Sequence, residues 1–164
     1  MPIEIRRIDY NDPRAVAIRE AMDVEMSARY SDIDRGLGGD ELDSMLARID
    51  AALVVHPEEM IATVGAFDGE DLVGHAALRP FEDKLEVKRV IVFQEYRGQG
   101  ISKRLMAELE TVARERGVSE LVLQTGDRQP DAVAVYTSIG YVPIPLFGLY
   151  QGVSFFLCFG KSLG

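Results

Sequence analysis

Arg97-Gly98-Gln99-Gly100-Ile101-Ser102 is the stretch that decides how this chain folds. It follows an apolar run, Val90-Ile91-Val92, that reads as a strand. It opens a segment in which Ile101, Leu105, Leu109, Val112 and Ala113 recur on one helical face. A strand, a glycine-rich turn and a helix N-terminus together make an anion site. The first-turn N–H groups have no intrahelical acceptor, and the helix dipole adds positive potential there. Glycine at 98 and 100 lets the backbone approach a bulky diphosphate with no Cβ in the way. Two familiar phosphate loops fail on spacing. G-x-G-x-x-G needs a third glycine where Lys103 stands, and no G-x-x-x-x-G-K-[ST] run occurs.

Upstream of the loop, Ile3 to Ile8 alternates as a strand. Asp12-Pro13 starts a helix through Ala15, Ile18, Met22 and Met26. Ser31 to Gly39 reads as a mobile glycine-rich loop, after which Asp40 caps a second helix carrying Leu42, Met45, Leu46 and Ile49. Strands follow at about 60–67, 72–79 and 85–92, with Asp68-Gly69 and Glu82-Asp83 as turns. Downstream, the helix runs to about Arg116 and stops at Gly117. Leu121 to Thr125 is a buried strand, Asp131 to Ile139 a helix opened by Pro130, and Val153 to Phe159 a last strand. The order is one strand, two helices, three strands, then helix, strand, helix, strand. It predicts an α/β sandwich around one mixed sheet.

The 164 residues suit one domain, taken as 1–164. Hydrophobic content of 47% and charged content of 27% are those of an ordinary globular protein. No apolar run approaches the roughly 20 residues that cross a bilayer, and the N-terminus lacks a signal peptide's apolar stretch. Cys158 is the one cysteine, so an intrachain disulfide is excluded. A cytoplasmic location is the expectation. Net charge of −9 argues against nucleic acid as a partner. Residues 1–83 carry eight basic and nineteen acidic side chains, a balance of −11. Residues 84–104 carry six basic and two acidic, a balance of +4 around the glycine loop. That island favours a polyanionic ligand, although Lys84 and Lys88 read equally well as solvated surface.

Two separated motifs then fall in order. Residues 86–101, E-V-K-R-V-I-V-F-Q-E-Y-R-G-Q-G-I, resemble the central strand and pyrophosphate loop, R/Q-x-x-G-x-G/A, of the GNAT (general control-type) N-acetyltransferase superfamily. Ser102 stands where that loop has Gly or Ala, and Gln94 where a proline is common. Residues 129–141, Q-P-D-A-V-A-V-Y-T-S-I-G-Y, resemble the family's N-x-x-A-x-x-x-Y-x-x-x-G-F, with Gln129 for Asn and Tyr141 for Phe. The resemblance covers about residues 60–142. The stretches Q-T-G-D-R-Q-P, F-G-L-Y and C-F-G-K further resemble a bacterial subgroup with no acceptor identified. The fold implied is the GNAT sandwich: one mixed, mostly antiparallel sheet flanked by helices, with two parallel central strands splayed apart.

The resemblance implies acetyl-CoA as cosubstrate, an amine acceptor and no metal. The N–H groups of Arg97, Gly98, Gln99, Gly100, Ile101 and Ser102 would hold the diphosphate, with Gln129 beside them. Val90, Ile91 and Val92 would pair with the pantetheine arm, and a backbone N–H there would polarise the thioester carbonyl. Tyr136 matches the family's general acid for the leaving thiolate; the other reading is a plain core tyrosine. An alkylammonium is protonated at pH 7, so a base is needed. Glu86 is the candidate, with the strand parity of Lys88 and Val90; the other reading is a surface carboxylate paired with a lysine. Cys158 reads as a buried small hydrophobe and His75 as structural, and the two histidines and one cysteine form no metal cluster. Tyr30, Glu25, Met26 and the glycines at 36–39 mark the acceptor region.

The leading reading is acetyl transfer from acetyl-CoA to a primary amine, the acidic first half favouring a cationic acceptor. With an amino acid or its amide as acceptor, Arg29 or Arg79 would clamp a carboxylate. The alternative class is an inactive acyl-CoA-binding sensor or interaction module on the same fold. A homodimer is left open, and no membrane partner is expected.

Overall fold

The computed structural model describes residues 2–31 and 38–164. Strand β1 (Ile3–Ile8) leads into helix α1 (Pro13–Arg29) and helix α2 (Gly39–Leu53). An antiparallel meander of β2 (Ala62–Asp68), β3 (Asp71–Phe81) and β4 (Lys84–Val92) follows. Then come α3 (Ile101–Glu115), β5 (Glu120–Gly126), α4 (Pro130–Ser138), β6 (Val142–Ile144) and β7 (Phe156–Ser162). The strands form one sheet in the order β1-β2-β3-β4-β5-β7-β6. Every neighbouring pair is antiparallel except β4 and β5.

Local chemistry accounts for most of these elements. The Asp12 carboxylate accepts the Arg14 N–H, and Pro13 occupies the first helical position of α1. Asp68 and Asp71 close the β2–β3 hairpin around Gly69, whose φ is +63°. Helix α3 buries Ile101, Leu105, Leu109, Val112 and Ala113 against one face of the sheet, together with Leu85, Val87, Leu121 and Leu123. Tyr136 of α4 joins this core. The other face is covered by α1, through Ala15 and Ile18 with Ile91, and by α2, through Ile49 and Ala52 with Phe156 and Cys158. No helix of the described residues is long and apolar enough to cross a membrane.

Four expectations are corrected. The last strand is β7 at Phe156–Ser162, later than 153–159. Val153 and Phe155 belong to a turn packed on α2, while Gly160 and Lys161 carry the ladder to β5. The three-residue edge strand β6 was not expected: Val142-Pro143-Ile144 is too short to show a strand's alternation, and Pro143 confines it to the sheet edge. Helix α2 begins at Gly39, so Asp40 sits within its first turn, and Gly38 is the cap without a side-chain bond. Of the loop expected to be mobile, residues 32–37 lie outside the described residues.

The fourth correction concerns parity along β4. Ala77 pairs with Lys88 and His75 with Ile91, so Arg89 and Val90 together oppose Ala76. This is a β-bulge with Arg89 at φ +59°, a left-handed conformation that costs a non-glycine residue about 1–2 kcal/mol. Leu85 and Val87 face α3, whereas Glu86 and Lys88 face away from it. Beyond the bulge Val90 and Val92 pack toward the α3 core and Ile91 toward α1. Glu86 and Val90 therefore lie on opposite faces, not on one.

Candidate functional site

The β4–β5 ladder is short. It pairs only Leu85 with Leu121, Glu86 with Val122 and Val87 with Leu123. Strand β4 then runs on to Val92 and β5 to Gly126 without pairing, so the strands part and a cleft of about 520 Å³ opens along β4. Its floor is Val90, Ile91 and Val92. One end is the glycine loop with the N-terminus of α3; one wall is α1, through Met22, Glu25, Met26 and Arg29, and the other is α4, through Ala132, Val135 and Tyr136. Of the residues expected from sequence, Arg97, Gly98, Gly100, Ile101, Ser102 and Gln129 also line it; Gln99 and Glu86 do not.

The loop presents unused donors. Among the described residues, the N–H groups of Gly98, Gln99, Gly100, Ile101, Ser102 and Lys103 donate no backbone hydrogen bond; the first helical bond runs from Arg104 to the Gly100 carbonyl. The Arg97 N–H is not part of this set, since it donates to the Gln94 carbonyl at 3.2 Å. Gly98 at φ +81° and Gly100 at φ +79° are left-handed, the backbone conformation from which successive N–H groups form an anion-binding concavity. A Cβ at either position would meet nothing within 4 Å of the protein itself. The cradle thus fits a diphosphate in both donor chemistry and space.

The Arg97 side chain faces the other way. Its Nε donates to the Val92 carbonyl at 2.8 Å, tying the loop to β4, and Nη2 donates to Glu25 at 2.8 Å. Glu25 also accepts from Arg29 at 2.9 Å, and Arg29 reaches Asp131 of α4 at 2.9 Å. The arginine beside it holds Asp131 below the usual carboxylate range. This ionic chain links the glycine loop to both walls, α1 and α4, at the cleft mouth. Its members are partly exposed, so each pair contributes about 0–1 kcal/mol and its main effect is geometric. Arg29, considered as a carboxylate clamp for a substrate, already holds two carboxylates of the chain.

Tyr136 is buried, its ring packed 6.1 Å from that of Tyr141 and 6.5 Å from that of Phe159. Its hydroxyl has no hydrogen-bond partner among the described residues, and burial pushes its pKa far up, so it stays protonated. It is at once a core residue and a cleft residue.

Glu86 is 1% exposed and not a surface carboxylate. Arg79 Nε donates to its Oε1 at 2.8 Å, and the Tyr150 hydroxyl donates to Oε2. Lys88 Nζ donates to the same hydroxyl oxygen at 2.8 Å and lies 3.9 Å from Glu86. Burial lowers the Lys88 pKa to about 8, with Glu86 opposing the shift. Arg79 is thus engaged by Glu86, not left open as a carboxylate clamp. Tyr150 stands in the F-G-L-Y stretch quoted from sequence but was given no role there. It lies 64 residues from Glu86, and only the packing of the segment before β7 over the sheet joins them. Tyr30 is likewise drawn inward: its hydroxyl accepts the Arg128 N–H at 3.2 Å, and its ring packs on Phe155. Cys158 is buried beside this cluster, and burial raises its thiol pKa.

Comparison with known proteins gives a consistent picture. Residues 20–141 match the model of the acetyltransferase (GNAT) family. N-acetyltransferase 8B of Homo sapiens is 38% identical over 84 residues, which are 51% of this chain and 34% of that protein. N-acetyltransferase 8 of Mus musculus is 39% identical over 82 residues, 46% of this chain and 36% of that one. The match thus spans about a third of the length of these curated relatives. Among solved structures, a Klebsiella pneumoniae chain provisionally described as an acyl-CoA N-acyltransferase superposes with a TM-score of 0.77 at 26% identity, covering 99% of this chain and 98% of that one. The PaiA N-acetyltransferase of Thermoplasma acidophilum, in complex with coenzyme A, superposes at 0.67 with 21% identity over 99% of each chain, a likeness of fold.

Proposed function

The chain belongs to the GNAT acetyltransferase family, and from that premise we propose that it moves an acetyl group from acetyl-CoA to a primary amine of a small molecule or peptide by direct attack. We take residues 1–164 as one catalytic domain. The observation that carries the reading is the continuity of the cleft. It runs from N–H donors at a helix N-terminus, along the edge of β4 that leaves β5, to the Tyr136 hydroxyl, groups without a hydrogen-bond partner in the protein among the described residues at either end.

Acetyl-CoA supplies the acyl group as an activated thioester. The N–H groups from Gly98 to Lys103 hold the diphosphate. The open edge of β4 at Val90–Val92 lines up the extended arm, and a bulge N–H donates to the thioester carbonyl as charge develops on oxygen. Tyr136 donates its proton to the departing thiolate. Glu86 remains the candidate base. It stands outside the cleft with both oxygens engaged, so it acts only through the Tyr150–Lys88 pair or a water. The acceptor is proposed to be cationic, on the strength of the acidic first half of the chain.

Release of free thiol from acetyl-CoA, followed across a panel of polyamines, aminoglycoside-like amines, lysine peptides and amino acid amides, tests this. Acceptor-dependent release is expected with at least one cationic amine. Tight acetyl-CoA binding with no release across the panel would replace the enzyme reading with a sensor on the same fold.

A further inference from the structure

His75 of β3 is wholly buried, and both ring nitrogens are engaged. Nε2 lies 2.9 Å from Nη1 of Arg19, and Nδ1 lies 2.8 Å from the carbonyl oxygen of Arg89. A guanidinium can only donate and a carbonyl can only accept. Nε2 is therefore the acceptor and Nδ1 carries the proton. The ring is neutral and its tautomer is set by its partners. Burial lowers its pKa to about 4, so this arrangement holds across any ordinary assay range.

The carbonyl it holds is not an ordinary strand carbonyl. Arg89 is the bulge residue at φ +59°, and its peptide joins it to Val90, on the cleft floor. The peptide is trans, so its C=O and N–H point in opposite directions. With the carbonyl turned to His75, beneath α1, the Val90 N–H is turned away from it. The bulge is also gripped through the Arg89 side chain, whose Nη1 donates to Asp23 of α1 at 2.6 Å. Arg19, on the far side of the ring, donates its Nη2 to the Tyr10 carbonyl at 2.7 Å and stacks over the Tyr10 ring at 3.7 Å.

We propose that His75 is a positioning residue for acetyl transfer: its Nδ1–H holds the Arg89 carbonyl so that the Val90 N–H is aimed at, and polarised for, the thioester carbonyl of acetyl-CoA. This rests on the acetyltransferase reading above. Donation from Arg19 into Nε2 makes Nδ1–H a better donor. Donation into the Arg89 carbonyl makes the N–H of the same peptide a better donor in turn, each link strengthening the next. The positive charge of Arg19 is thereby felt at the thioester oxygen without Arg19 itself lining the cleft.

The paired substitutions His75→Gln and His75→Asn test it in the full-length protein. The Gln amide reaches toward Arg19 but not Arg89; the Asn amide can still donate at the Nδ1 position. His75→Gln is expected to lower kcat by on the order of tenfold to a hundredfold, below the full loss of an oxyanion donor, with acetyl-CoA affinity within about twofold. The infrared carbonyl band of bound carbonyl-labelled acetyl-CoA should move back toward its position in free solution, and His75→Asn should restore both. Unchanged kcat and band in His75→Gln, or a fall in kcat matched by a loss of affinity with the band unmoved, would overturn the proposal. Should His75→Gln not fold, nitrogen-15 NMR of the wild-type ring decides. The Nδ1–H tautomer, with an Nδ1–H resonance that shifts when acetyl-CoA binds, is expected. The Nε2–H tautomer, or no shift on binding, overturns it. Failure of the underlying reading looks different: the wild type then releases no thiol from acetyl-CoA with any acceptor, whether or not it binds acetyl-CoA, and both fall together.

Discussion

Tyr136 joins a buried ring to a hydroxyl without a partner among the described residues, and the two properties pull on its proton in one direction. Burial disfavours the phenolate, so the hydroxyl stays protonated until negative charge appears beside it. In the proposed reaction, the departing thiolate would be such a charge. Tyr136→Phe keeps the ring packing against Tyr141 and Phe159 and removes only the hydroxyl. Turnover should fall roughly 10²–10⁴-fold, the usual scale for a general acid, with acetyl-CoA affinity by calorimetry little changed. Wild-type turnover with chemistry rate-limiting would return Tyr136 to a packing role alone. Lys88 offers a test of the buried cluster by pH. Its native pKa is about 8, while an unfolded lysine titrates near 10.4. Between those values the unfolded chain binds more protons, so this group makes stability rise with pH. Lys88→Met removes that contribution. The stability of Lys88→Met relative to wild type, from urea unfolding, should therefore decline by about 1–3 kcal/mol between pH 7.5 and pH 10. A constant difference would mean that Lys88 titrates normally.

At the scale of elements, the glycine loop and α3 act as one unit. The apolar face of α3 buries Leu105, Met106 and Leu109 completely, which anchors the helix so that its N-terminus keeps its place at the end of the cleft. Its cap, Gly100, is left-handed with open space where a Cβ would stand. Glycine there answers to backbone conformation and, in the proposed site, to ligand approach, not to a clash within the protein. Gly100→Val should weaken acetyl-CoA binding tenfold or more and cost about 1–2 kcal/mol of stability through its backbone strain. Calorimetry showing wild-type affinity in that variant would remove the loop from the cofactor site. This element was legible from sequence because its signals are local: a helical period, two glycines and a preceding apolar run. The β4 bulge was not. It is a one-residue mismatch between β3 and β4 and exists only once the two strands are in register, so Glu86 and Val90 look like neighbours on one face until the pairing is known.

For the whole molecule, charge is distributed against the sheet order in a way that bears on the acceptor. The acidic first half includes β1, α1 and α2, and α1 forms one wall of the cleft with Glu25 at its mouth. The more basic segment, residues 84–104, contains β4 and the loop that begin and end the floor. A polycationic acceptor approaching from the α1 side should be drawn in across partly solvated distances, an attraction that salt screens. Its KM should rise with ionic strength, while that of a neutral amide-bearing amine should change little. Steady-state kinetics at low and high salt on both would decide, and equal responses would leave the acidic residues a role in solubility alone.

The sequence by itself determined the order of strands and helices other than β6, the glycine turn that opens α3 and the family, because each of these is written in residues close together along the chain. Only the tertiary structure decided the side of β4 from which Glu86 looks out, the tyrosine it holds 64 residues away, and the histidine that grips the bulge carbonyl. Those features depend on the strand register and on which helix covers which face. Register and layer packing are settled by burial of the whole apolar set at once, a constraint no single stretch of chain carries.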